Sequence, residues 1–218
     1  QNLAKKANKK KIFTINNYFD YGLSRKIKKK FNKFEFIFAR NVVAHVKSPN
    51  NIFRGVKNLL SNNGIFILEV PHLLNIFKEN QYDNIFHEHI GFHSLKSIRD
   101  LCHLNGLKIF NVELIDSQGG SIRCYIKNNI STIKVSKKIQ IIYNLEKKSK
   151  LFSNKNLENF RESIIQHKEK IYKLIANLKK RNFKVSVYGA SGKGQALMQY
   201  AKIDNKLIDN VFDKSKLK

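Results

Sequence analysis

Glu35-Phe36-Ile37-Phe38-Ala39-Arg40-Asn41 and Ile65-Phe66-Ile67-Leu68-Glu69-Val70-Pro71 are the stretches whose reading decides the fold. Each is an apolar run of strand length, the first read as a buried strand, closed by a polar turn or by proline. Between them Ser48 is a candidate N-cap and Pro49 a first helical residue, and Ile52, Val56, Leu59 and Leu60 follow at helical spacing. Asn62-Asn63-Gly64 ends that helix, with Gly64 suited to a left-handed cap. Strand, helix, strand with tight connections predicts parallel strands joined by a crossover helix.

The pattern extends outward from there. Residues 11–15 read as a short strand and 20–31 as an amphipathic helix. Ser94 caps a helix that runs to about Asn105-Gly106. Residues 107–114 and 121–126 read as strands, paired antiparallel across the turn-rich segment 115–120 that holds Gly119-Gly120. Residues 129–182 contain no proline, and Ile164, Ile165, Lys168, Ile171, Tyr172, Ile175 and Leu178 share one stripe; two helices ending at Asn182 are expected. A strand at 183–188, a glycine-rich turn at 189–194, a helix over 195–201 and a strand at 208–212 complete the chain. The fold class is α/β, with one unit over 1–130 and a helical segment plus a second, partial α/β unit over 131–218.

The chain has 218 residues, 42% of them hydrophobic, which is enough to build a core and argues against wholesale disorder. Its formal charge of +26 comes from 42 Lys+Arg against 16 Asp+Glu. The basic residues are 35 Lys and 7 Arg, with 26 Asn and 26 Ile beside only 8 Ala. Those are the residues of AT-rich codons, whereas readers of nucleic acid lean on arginine. Coding bias is therefore the first explanation of the charge, and a polyanion-binding module the alternative. Two cysteines, Cys102 and Cys124, exclude a disulfide scaffold and a cysteine-built zinc site, and read as small apolar residues. No apolar run reaches membrane-spanning length and no secretory signal is visible, which points to a cytoplasmic location without membrane association. The chain opens at Gln1, its only methionine is Met198, and it closes at Lys216-Leu217-Lys218. It reads as a piece of something longer.

Three constellations offer chemistry. Phe86-His87-Glu88-His89, with His45 upstream and His93 nearby, reads in three ways: an acid–base group oriented by its glutamate, a weak metal-ligand pattern, or a polar loop of solvated histidines. Arg40 and Asn41 follow a strand, where ligands sit in open α/β sheets; a cofactor contact and a plain turn are both compatible. Gly189, Gly192 and Gly194 form a GxxGxG turn that either offers backbone N–H groups to phosphate or simply lets helix and strand approach. Lys193 is a point charge for that phosphate or a surface lysine, and Asp213 stands near the spacing of a ribose-binding acid.

Taken in order, Ala39-Arg40-Asn41-Val42-Val43-Ala44-His45-Val46, Ile67-Leu68-Glu69-Val70-Pro71, Asp83-Asn84-Ile85-Phe86-His87-Glu88-His89, Gly119-Gly120-Ser121-Ile122-Arg123 and Val187-Tyr188-Gly189-Ala190-Ser191-Gly192-Lys193-Gly194 resemble the SAM-dependent sugar C-methyltransferases. The resemblance covers nearly the whole chain. It implies the C-terminal part of a Rossmann-like SAM (S-adenosyl-L-methionine) domain followed by helices and the start of a second Rossmann-like unit. It also implies methylation of the carbon alpha to a ketone in a nucleotide-linked deoxysugar. By resemblance His89 is the base, Glu88 orients or polarises, and His45 positions or stabilises the enolate. Phe86, Tyr82, Lys193, Gly189 and Gly192 would face the substrate, and Arg40 and Asn41 the cofactor. Phe86 stands where the family has tyrosine, which removes one hydroxyl donor. The family's zinc cysteines, glycine-rich SAM loop and ribose-binding acid would all lie before Gln1, so the chain alone should bind SAM poorly. A related enzyme with another ketone-bearing substrate is the nearest alternative.

Overall fold

The two quoted stretches become neighbouring parallel strands in the computed structural model, which describes residues 2–215. The terminal residues weighed above, Gln1 and Lys216-Leu217-Lys218, lie outside them. Helix α1 is Asn2–Lys9 and α2 is Tyr21–Phe31, N-capped by Asp20, whose side chain accepts from Leu23 N. Strand β1 (Phe34–Arg40) pairs with β2 (Leu60–Pro71), with Arg40 opposite Glu69, and α3 (Pro49–Leu59) is the crossover. After α4 (Leu73–Lys78) and α5 (Leu95–Leu104), β3 (Leu107–Ile115) and β4 (Ser121–Asn128) pair antiparallel, as expected. β4 also pairs antiparallel with β2, giving the order β1-β2-β4-β3. The expected α/β class is the class observed.

Period-two alternation decides which face is covered. Phe66, Leu68 and Val70 of β2 and Ile122, Cys124 and Ile126 of β4 point to one face and are fully buried. Ile52, Phe53 and Val56 of α3 and Leu95, Ile98 and Cys102 of α5 meet them. Phe53 and Phe66 pack edge to face at 5.8 Å, and each such buried ring stabilises by roughly 2–3 kcal/mol. Burial pushes the thiols of Cys102 and Cys124 up, so both act as small apolar groups.

Two helices, α6 (Lys137–Lys148) and α7 (Asn154–Lys180), fill the proline-free segment. Then β5 (Ser186–Tyr188) and β6 (Asn210–Phe212) form a parallel pair around α8 (Gly192–Tyr200). Glu146 of α6 is 3% exposed. Its carboxylate accepts from Leu95 N at 2.5 Å and Lys96 N at 3.1 Å, at the start of α5, and from His72 Nε2 at 2.8 Å. The first turn of α5 also carries the expected Ser94 cap, as a box with Ser97.

Several expectations fail for identifiable reasons. Residues 11–15 form no strand: they find no ladder, Ile12 and Phe13 are exposed, and the Asn8 side chain binds both Thr14 N and Thr14 O. The first strand is not buried on both faces, since Phe36 is 58% and Phe38 68% exposed. Gly64 is not a helix cap. The helix passes directly into β2 at Leu60, and Gly64 sits inside that strand at a register shift between Phe34 and Phe36. A Cβ there would lie 2.8 Å from Leu60 Cδ1 and 2.9 Å from the Phe34 carbonyl oxygen, so the glycine serves close approach. Ser48 stands at the N-cap of α3 without a side-chain hydrogen bond. The glycine turn is shorter than 189–194, because Gly192, Lys193 and Gly194 already belong to α8. The flanking strands begin later than expected, at Ser186 and Asn210.

Replacing Glu146 with Ala strands two helix N–H groups and the His72 ring at once, and should cost about 3 kcal/mol of unfolding free energy. Glu146→Gln keeps an acceptor and should lose less. Urea denaturation of the three proteins reads this directly; equal midpoints for Glu146→Ala and the unaltered chain would contradict it.

Candidate active site

Three segments meet beyond the carboxyl ends of β1 and β2, where open α/β sheets place their ligands. The first is a 3-10 turn, Val43–His45, just after β1. The second is the loop that follows α4 and carries residues 82–93. The third is the start of α8.

Backbone groups lock the first two together. Ala44 O accepts from Ile90 N at 2.8 Å and from Gly91 N at 3.0 Å. The buried His93 ring donates to the Val43 carbonyl, and burial holds its pKa below the ordinary histidine range against that bond. Leu73 N donates to His93 O at 2.9 Å, tying the loop's end to the start of α4.

On this frame stand two imidazoles, His45 and His89, with ring centroids 4.8 Å apart. His45 Nδ1 lies 2.8 Å from the Glu88 carbonyl oxygen, and His89 Nδ1 lies 2.8 Å from that of Asn84. A carbonyl only accepts, so each Nδ1 carries a hydrogen and each neutral ring keeps its lone pair on Nε2. His89 is held below the ordinary histidine pKa first by burial, then by the charges of His45 and Lys193. The Asn84 carbonyl and Glu88 pull the other way. The result is a neutral, basic Nε2 at pH 7. Glu88 acts on His45 through its main-chain carbonyl and on His89 through charge; its side chain is exposed.

The remaining expected residues fall into two groups. Phe86 lies against His89 at 4.4 Å between centroids, and a Cβ on Gly192 would lie 3.5 Å from its ring. Lys193 is close enough to act on His89 by charge, so the start of α8 and the histidine loop form one place. Gly189 takes φ +96°, donates to Phe212 O at 2.6 Å, and is followed by Ala190, whose N–H meets Asp213 Oδ2 at 2.7 Å. The Asp213 carboxylate thus closes the glycine turn itself. Across the site, Arg40 Nε pairs with Glu69 Oε1 at 2.9 Å, and Glu69 Oε2 also accepts from Arg123. Asn41 sits at φ +51° with its Oδ1 buried and unpartnered among the described residues. An orphan acceptor at the end of β1 fits a cofactor hydroxyl or ammonium group. His87 is exposed, and among the described residues no cluster of three or more His, Cys, Asp or Glu could hold a metal ion.

Tyr82 is turned away from the imidazoles. Its hydroxyl meets His167 Nδ1 at 2.7 Å, and burial, with Tyr200 and Asp83, keeps the phenol protonated. Its ring borders a cavity of about 550 Å³ lined also by Ile85, Phe160, Arg161, Ile164 and Tyr200. The sequence showed Ile164 as part of a packing stripe; its place on the cavity wall comes from the partner elements. The Asn84 carbonyl was likewise hidden, since main-chain acceptors leave no trace in side-chain identity.

Residues 116–218 match the family described as the C-methyltransferase C-terminal domain, and residues 3–112 match the methyltransferase domain. The chain belongs to the methyltransferase-domain family. It is 35% identical over 122 residues to the C-methyltransferase NovU of Streptomyces niveus, which takes in 56% of this chain and 29% of that protein. Among solved structures it is similar to a SAM-dependent methyltransferase, possible histamine N-methyltransferase, of Thermotoga maritima (16% identity, 57% of this chain and 69% of that one, TM-score 0.41). It is also similar to magnesium protoporphyrin IX methyltransferase of Synechocystis (16% identity, 43% and 44% of the chains, TM-score 0.35). Among the described residues no helix is long and apolar enough to cross a membrane.

Because the Lys193 charge lowers the His89 pKa, Lys193→Met should raise it. An NMR titration of the His89 ring in both chains reads the shift, and a fall would refute the assignment. Since burial depresses both His89 and His93, the stability they contribute is full above about pH 6.5 and drains as pH drops below it.

Proposed function

We propose that this chain carries the acid–base half of a SAM-dependent C-methyltransferase acting alpha to a ketone, with a nucleotide-linked deoxysugar as substrate. The observation that carries the reading is the His45–His89 pair with both Nδ1 atoms tied to backbone carbonyls. Carbon methylation needs a base for a weakly acidic C–H and a means of holding the negative charge that results. His89 Nε2 is neutral and half-buried, which suits proton removal. Lys193, and His45 once protonated, are the cations placed beside it to stabilise the enolate oxygen. His45 lowers the proton affinity of His89, which favours the neutral ring that proton removal needs.

S-adenosyl-L-methionine supplies an electrophilic methyl group when bound. Asn41 Oδ1 is the residue atom in this chain that would hold it, with Arg40 fixed beside it by Glu69. The cavity lined by Phe160, Tyr200 and, from the same loop as His89, Tyr82 and Ile85 is of a size that takes a small-molecule substituent. No step here runs through zinc. The similarity to NovU, a C-methyltransferase, supports C-methylation as the reaction type, and the motif resemblance makes a ketone-bearing sugar the class to test first.

Proton abstraction is testable by itself. Incubated in D2O with a nucleotide-linked keto sugar, the enzyme should exchange the proton alpha to the ketone, and His89→Asn should slow that exchange and methyl transfer by at least about 100-fold. Full exchange in His89→Asn would sink the base assignment. Exchange with simple ketones but not with the sugar nucleotide would move the substrate to another class.

A further inference from the structure

The hydrogen bond that sets the tautomer of His89 is itself held from a distance. Asn84 is 1% exposed and ends the 3-10 turn Tyr82–Asn84. Its side-chain Nδ2 donates to Gln81 Oε1 at 3.1 Å, and its backbone N donates to Gln81 O. At the other end of the same amide, Gln81 Nε2 donates to the Gly119 carbonyl at 2.6 Å. Gly119 and Gly120 lie at φ +80° and +101°, in the turn between β3 and β4. A Cβ on Gly119 would come within 2.5 Å of Gln81 Oε1, and one on Gly120 would collide with Asn75 Nδ2. The glycine pair is therefore required for the turn to rest on Gln81 and Asn75. Gly120 O in turn accepts from His72 N at 3.0 Å, which fixes the turn to the end of β2.

We infer that Gln81 is a positioning residue: its amide links the Gly119-Gly120 turn to Asn84, whose carbonyl holds the proton of His89 on Nδ1. Both ends of the amide are used, one as donor and one as acceptor, so the rotamer of Gln81 is fixed and its neighbours cannot move separately. A side chain of the same length without polar atoms would release Asn84 and leave its 3-10 turn free to rotate the carbonyl away. The His89 proton would then redistribute to Nε2, the tautomer a free imidazole favours in water, and the basic lone pair would face the protein. Gly119 reaches the same ring from another segment of the chain through the same amide.

The experiment uses the nitrogen signals of the His89 ring, which distinguish the two tautomers without substrate or cofactor. In the unaltered chain His89 should carry its proton on Nδ1. Gln81→Met and Gly119→Ala should each shift the population toward Nε2–H, and the double variant should shift it no further than either alone. Gln81→Glu keeps the acceptor for Asn84 and should lie between; it also serves if Gln81→Met unfolds. An unchanged His89 tautomer in folded variants at both positions overturns the inference. The consequence for turnover rests on the reading of His89 as base: kcat should fall about tenfold, with KM for the acceptor little changed. A shifted tautomer with unaltered kcat would leave the positioning role standing and refute the base assignment instead.

Discussion

The buried carboxylate of Glu146 is the contact on which the site depends. It accepts hydrogen bonds from His72, at the end of β2, and from Leu95 and Lys96, at the start of α5. Those residues are the two ends of the segment that contains α4, Tyr82, Asn84, Phe86 and His89. One side chain from a third element therefore closes that segment at its base. Closing so long a connection is an entropic cost that many weak contacts would have to meet separately. Three donors on one desolvated carboxylate meet it at a point, and the same atoms satisfy the otherwise orphaned N–H groups of α5. The parallel bridge between His72 and His93 extends the closure inward, and from His93 it passes to Val43 and so to His45.

This arrangement explains how a chain of such high positive charge keeps the His89 imidazole neutral. Most lysines lie on solvent faces, where screening weakens them. Among the groups that act on His89 electrostatically, Lys193 and His45 lower its proton affinity and Glu88 raises it. The larger influence is burial, which comes from packing of Phe86 and the start of α8 over the loop rather than from any charge. The composition that dominates the sequence is thus nearly irrelevant to the chemistry of the site. A single lysine matters because of where the α8 N-terminus is held, and that place is fixed by the Asp213–Ala190 contact and the short β5–β6 pair.

The unit from β1 through α3 to β2 was legible because each element has one dominant signal: an apolar run, a helical period, a proline. The antiparallel β3–β4 pair and the two long helices were legible for the same reason. Residues 11–15 carry the same apolar signal as a strand, yet nothing offers them an edge, and strand propensity without a ladder has no energetic content. Gly64 illustrates a different limit. A glycine after a helical period reads as a cap, whereas its actual reason is the Phe34 carbonyl on a strand far away in sequence. The histidines were visible as a cluster; what orients them was not, because Asn84 and Glu88 act through main-chain oxygens that every residue possesses.

Phe86 packs against both the His89 ring and the start of α8. The family resemblance expects a hydroxyl at this position, and its loss removes a neutral donor from the neighbourhood of the proposed enolate. In the structure the Phe86 ring fills the space between the His89 imidazole and Gly192, a place that needs area and shape rather than a polar atom. The ring excludes water from one side of His89 and so supports the burial that keeps it neutral. Tyr82 does not replace the missing group, for its hydroxyl is committed to His167. On the proposed chemistry the developing charge must then fall to the groups at hand, Lys193 and His45. The two backbone-anchored Nδ1–H groups leave both Nε2 atoms facing away from the main chain, so a proton taken by His89 Nε2 lands beside a second nitrogen that can take part in the same transfer.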